Sequence, residues 1–121
     1  MYSLVTFDDV ERRDLEGEAP TLRSVGHALQ SEEMRLAVWE YEAGEENAFH
    51  RQDRQEEFYV VLDGRFDVTI ERGDDRDVLE LRRNDFLVVP PESWRQFEAR
   101  EPSTLLAVGA PNVPDDAILE S

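Results

Sequence analysis

The feature that most restricts what this chain can fold into is the regular spacing of its turn signals. Glu42-Ala43-Gly44, Asp63-Gly64, Gly73-Asp74-Asp75, Asn84-Asp85, Pro90-Pro91-Glu92-Ser93 and Glu101-Pro102-Ser103 interrupt it at short intervals. Gly, Asn, Asp and Pro favour the backbone angles that reverse a chain. Between these breaks lie short runs rich in β-branched and aromatic residues, the pattern of a sandwich or closed barrel. Met34 to Ala43 alternates with two apolar-leaning faces, and Phe58 to Leu62 is nearly continuous, as a strand covered on both sides would be. Arg65 to Glu71 places Phe66, Val68 and Ile70 on one face against Asp67, Thr69 and Glu71. Val78 to Leu81, Phe86 to Pro90, Trp94 to Ala99 and Thr104 to Ala110 complete the set of expected strands. Asp63-Gly64 between two such runs reads as a hairpin turn. No segment has the period of a long amphipathic helix. The best helical candidate is Pro114 to Leu119, while Ser24 to Leu29, carrying His27, reads as strand-like. With no repeat or linker, the expectation is a single all-β domain over 1–121, its core at about 34–110.

Charge narrows the partners. Asp and Glu number 29 against 13 basic residues, leaving a net charge of −16, and every basic residue is arginine. Such a chain repels polyphosphates and anionic lipid, so neither nucleic acid nor membrane is an expected partner. The acids run along the whole chain, unlike a disordered acidic tail. A carboxylate-rich, lysine-free surface fits a halophilic archaeal cytoplasm, where screening lengths fall to roughly 3 Å and self-repulsion is silenced. No apolar run is long enough to cross a bilayer, and Asp8 and Asp9 interrupt the start, so a cytoplasmic location is expected. The absence of cysteine excludes disulfides, thiolate metal sites and a cysteine nucleophile.

From Gly44 to Gly64 the residues run G-EENAF-H-R-Q-DRQE-E-FYVVLD-G. This resembles the first motif of the cupin superfamily, G-x5-H-x-H-x4-E-x6-G, with every spacing kept and Gly44, His50, Glu57 and Gly64 in place. Gln52 stands at the second His. Asn84 to Ala99 is similar to the second motif, G-x5-P-x-G-x2-H-x3-N, although only Pro90 matches; Glu92, Arg95 and Ala99 replace its second Gly, its His and its Asn. The resemblance spans roughly Leu36 to Val108 and implies a cupin barrel, a double-stranded β-helix or jelly roll. It also implies a homodimer, often formed by adding an N-terminal strand to the partner's sheet, which covers an exposed edge.

Residues two apart on a strand point the same way, so His50 and Gln52 are expected to face the barrel interior, as are Glu57, Tyr59 and Val61. In metal-binding cupins the four site positions are typically three His and one Glu, a set suited to Fe, Mn, Ni, Cu or Zn. Here they become His50, Gln52, Glu57 and Arg95. A Gln carbonyl is a feeble ligand, and a guanidinium offers only donors and a permanent positive charge. No tightly bound metal or other cofactor is therefore expected; any metal would fall to His50, Gln52 and Glu57. Arg95 is expected to pair with Glu57, either as a purely structural ion pair or as part of a pocket. In the second case the pocket binds a small polar or carboxylated molecule, with Arg95 and Gln52 orienting it and Trp39, Tyr41, Tyr59 and Phe97 as walls. The alternative is a small enzyme. It would be a weakly metallated dioxygenase or lyase, or a metal-free isomerase or epimerase with His50 and Glu57 as a catalytic dyad.

Other residues have plainer readings. His27 reads as a surface or structural histidine, and Trp94 as a core or subunit-contact residue. Arg51 and Arg54 neutralise their acidic neighbours. Asp74-Asp75 and Asp115-Asp116 read as solvated turn and tail acids.

Overall fold

The computed structural model of the protein describes residues 1–14 and 20–120. A short 3-10 turn, Phe7–Asp9, precedes strands β1 (Arg12–Arg13) and β2 (Thr21–Arg23) and helix α1 (Val25–Leu29). Strands β3 (Arg35–Tyr41), β4 (His50–Gln52), β5 (Glu56–Asp63), β6 (Arg65–Arg72), β7 (Asp75–Arg82), β8 (Phe86–Val89), β9 (Arg95–Ala99), β10 (Ser103–Ala110) and β11 (Ala117–Leu119) follow. They form two antiparallel sheets, ordered β1-β2-β3-β10-β5-β8 and β11-β4-β9-β6-β7. From β3 onward the chain passes repeatedly from one sheet to the other, which is the jelly-roll connection expected for a cupin barrel. Each strand expected from Met34 to Ala110 is found.

Inward residues interleave between the sheets. Tyr41, Tyr59, Val61, Phe66, Val68, Leu81, Val89, Phe97, Ala99, Leu105 and Ala107 form one buried cluster. The alternation read in Arg65 to Glu71 places Phe66 and Val68 in it, each fully buried. Tyr41 meets Phe66 edge-on at 4.9 Å, and Tyr59 lies 4.6 Å from Phe97, so aromatic contacts tie the two sheets together.

Three local expectations are corrected. Asp63-Gly64 is not a hairpin, since β5 and β6 belong to different sheets. Gly64 instead turns a corner: its φ is +86°, and a Cβ there would stand 2.1 Å from Ser103 Oγ. The true tight hairpin joins β6 to β7, where Arg72 pairs with Asp75 across Gly73-Asp74. Second, Ser24 to Leu29 is not a strand but holds α1, closed by Gln30 in the left-handed region. Gly26 lets this helix lie on β3, because a Cβ would meet the Leu36 backbone nitrogen at 2.9 Å. A helix this short shows no sequence period. Third, Pro114 to Leu119 is not helical: Asp116 is tied to the turn at residues 53–55, and Ala117–Leu119 pairs with β4 instead. No helix among the described residues is long and apolar enough to cross a membrane.

Candidate functional site

Strands β4, β5 and β9 bring the motif residues together. His50 is the cross-strand partner of Arg95. Glu92 occupies the left-handed region at φ 74°, the conformation for which the motif otherwise uses glycine. Its N–H donates to Gln52 O at 2.7 Å, so the turn carrying Arg95 is fastened to the strand carrying Gln52. Asn47 does the same at the other end, accepting the Phe97 N–H at 2.7 Å through Oδ1.

Glu57 is the hub. Its Oε1 accepts from Gln52 Nε2 at 3.1 Å, Tyr59 Oη at 2.6 Å and Arg95 Nη2 at 2.5 Å. Arg95 is fully buried and also donates through Nε to Tyr59 Oη at 3.3 Å and through Nη1 to Ser93 O at 2.8 Å. Burial alone would raise the Glu57 pKa, but the Arg95 charge and the Tyr59 and Arg95 hydrogen bonds outweigh it and hold the carboxyl below its ordinary range. Burial and the Glu57 charge push the Tyr59 phenol well above its ordinary range, so it remains a donor. Burial opposes the Arg95 charge, yet Tyr59 and Glu57 raise its pKa overall.

Glu57 Oε2 has no hydrogen-bond partner among the described residues, and Glu57 lines a cavity of about 440 Å³ inside the barrel. Trp39, Tyr41, Tyr59, Phe97, His50 and Gln52 line it too, so every expected site residue but one lines the cavity. The exception is Arg95. Its side chain is 0% exposed and sealed behind Glu57 and Tyr59, so it reaches no molecule in the cavity. Its place in the wall is set by the Glu57 carboxylate, which draws the guanidinium inward. His50 also differs from the expected dyad. Its Nδ1 lies 2.9 Å from Ala48 O and must donate, since a carbonyl only accepts. Its Nε2 is 3.9 Å from Glu57 Oε1, beyond hydrogen-bond length.

These corners do not fit a transition metal. The Glu57 oxygen nearest to the other three corners is already held by three donors, one of them a guanidinium. A fixed cation there opposes a divalent ion in a low-dielectric interior. Among the described residues no three His, Asp or Glu side chains converge as a metal set.

Sequence reasoning missed Gln55 and Arg35, which also line the cavity. Gln55 is fully buried, and a Cβ on Gly109 would stand 2.9 Å from its Oε1. As a polar residue in an acid-rich loop it carried no signal. Asp116, read as solvated, is 3% exposed, because its carboxylate accepts the backbone N–H groups of Arg54 and Gln55. His27 is exposed on α1 and does not line the barrel cavity. Trp94 stacks on Phe49 at 5.7 Å outside the core cluster, with Arg51 over its ring.

The model of the Cupin domain family matches residues 37–109. A comparison with curated proteins finds no match. Among solved structures, KdgF from Halomonas sp. is similar with TM-score 0.78 and 21% identity, covering 95% of this chain and 98% of that one. A sugar phosphate isomerase of the cupin superfamily from Silicibacter pomeroyi gives TM-score 0.81 and 20% identity, over 98% of this chain and 82% of that one. Oxalate decarboxylase from Bacillus subtilis gives 0.80 and 18%, and there the chain spans 31% of the larger protein. At such identities the likeness establishes the fold alone. The family match covers more than half of the residues, and the chain belongs to the cupin domain family.

Proposed function

We propose that this protein binds a small polar molecule in its barrel cavity and does so without a tightly bound transition metal. The observation that carries the reading is the division of labour at Glu57: Oε1 is held by Gln52, Tyr59 and Arg95, and Oε2 is left without a partner in a residue that lines an aromatic-walled cavity. An ion pair that served stability alone would have no need of a cavity beside it. Elemental analysis of untagged protein tests the metal-independent part, with substoichiometric transition metal as the expected result. A stoichiometric metal that disappears in His50→Ala would sink it.

The same reading includes a homodimer. Val108, Phe58 and Val88 form one cross-strand row on the outer face of β10, β5 and β8, and Leu106, Val60 and Phe86 form the next. Phe86 is 70% exposed and Val88 54%. In a chain of net charge −16, an uncharged face is where two copies meet with least like-charge repulsion. Light scattering in molar KCl should give a dimer mass that Phe86→Glu reduces to a monomer's; a monomeric parent protein would refute it. High salt as the working medium and the cytoplasm as its place are supported by the same charge balance, which favours neither nucleic acid nor membrane as partner.

A further inference from the structure

Resting on that binding reading, we infer that the barrel cavity takes a monocarboxylate with an apolar body, its carboxylate held by Arg35. The chain carries 29 acids, yet among the described residues Glu57 is the one acid in the cavity lining, and Arg95 already neutralises it. Nine of the 13 arginines lie within 3.9 Å of a carboxylate. Among the described residues Arg35 has no such partner, and it is the one arginine that lines the cavity. His50 adds no negative charge in either protonation state. The uncompensated charge facing the cavity is therefore positive, and it sits on Arg35.

Strand alternation puts Arg35, Ala37, Trp39 and Tyr41 on one face of β3. Cross-strand pairing sets Arg35 level with Gly109 and Glu57, and Ala37 level with Ala107 and Tyr59. The two alanines leave room for a ligand's body, and Trp39, Tyr41 and Phe97 wall that room with aromatic surface. Arg35 stands at the opening. A cleft of about 350 Å³ beside α1 shares Ser24, Arg35 and Leu36 with the barrel cavity, and Arg35 itself is exposed. The Trp39 indole and the Tyr41 hydroxyl have no acceptor among the described residues, and burial pushes the Tyr41 phenol up, so it remains a donor. The β3 wall thus offers donors, with Arg35 as its charged member. Glu57 limits the occupant to one carboxylate, because a second one at that corner would meet like charge. A hydroxyl on the body would instead donate to Glu57 Oε2. An ammonium group finds no unpaired acid in the lining and adds its charge to that of Arg35.

Calorimetric titration of the full chain with benzoate and with benzyl alcohol tests this, in the parent protein and in Arg35→Gln. The two probes share a ring and differ in the head group, and circular dichroism checks that the variant is folded. Benzoate is expected to bind about fivefold more tightly than benzyl alcohol, the size of one solvent-facing ion pair. Arg35→Gln should bring the two affinities together. If benzoate binds no more tightly than benzyl alcohol, or keeps its advantage in Arg35→Gln, the inference is overturned and the pocket itself stands. If neither probe binds, the inference fails together with the binding reading beneath it.

Discussion

Asp116 is a buried carboxylate and Glu57 a largely buried one in an acid-rich chain, yet they meet different donors. Asp116 accepts backbone N–H groups through both oxygens: Arg54 at 3.0 Å to each, and Gln55 at 2.8 Å to Oδ2. Those amides belong to the main chain, so the carboxylate closes a turn and has nothing left to offer. Glu57 is held by side chains, all through Oε1, and Oε2 is left without a partner. Backbone donors saturate a carboxylate and make it a staple, whereas side-chain donors can hold one edge and leave the other for a ligand. Burial alone therefore does not mark a site; the identity of the donors does.

The sharpest way to break this contrast is to remove the cation behind Glu57. Arg95→Leu leaves a largely buried carboxylate with its main counter-charge gone, which in fully buried pairs costs about 3–5 kcal/mol and sets an upper bound here. Urea denaturation in molar KCl should show a loss of up to that size. Combining Arg95→Leu with Glu57→Gln should recover part of it, because no charge is then stranded. If the double variant is as unstable as Arg95→Leu alone, the pair is not the coupled unit described here.

Acid titration comes next. The folded pKa of Glu57, about 2, lies below the ordinary 4.5, so the unfolded chain takes up the proton first. The resulting stability is present above about pH 5 and is lost as pH falls towards 2. A shift of this size corresponds to at most about 3 kcal/mol. Glu57→Gln should flatten the acid limb of the stability curve by up to that amount. An unchanged acid limb in Glu57→Gln would mean that other carboxylates dominate it.

How much of this was legible in the sequence depends on what each residue answers to. His50, Gln52, Glu57 and Arg95 were readable because motif spacing and strand alternation fix which side chains share the barrel interior. The strands from Met34 to Ala110 were readable because turn residues act locally. Whether a turn is a hairpin or a corner is not local. Asp63-Gly64 becomes a corner through packing on Ser103 in β10, far along the chain. The engagement of Arg95 is likewise a matter of three dimensions. Its charge could be read from its position, but its withdrawal from the cavity follows from the donors and acceptors of Glu57, Tyr59 and Ser93. Gln55 and Asp116 were invisible because Asp116 is held by the backbone amides of Arg54 and Gln55, and the Gln55 side chain by the Val113 carbonyl, partners that leave no mark in hydropathy.

The last comparison concerns Asp116 itself. Asp116→Ala removes the acceptor for the Arg54 and Gln55 amides, and Gln55 is fully buried. An orphaned buried amide costs about 1–3 kcal/mol, so a loss of about 2 kcal/mol is expected, smaller than for Arg95→Leu because no charge is stranded. The effect should also be local. Ala117–Leu119 is held on β4 next to this staple, and the Asp53 N–H donates to Asp116 O at 3.1 Å. Amide hydrogen exchange should accelerate at Ile118 and around Arg54 and Gln55, with little change at Tyr59 or Phe97. If protection is lost first around Glu57 instead, the two carboxylates form one cooperative unit, and the division between staple and site would have to be given up.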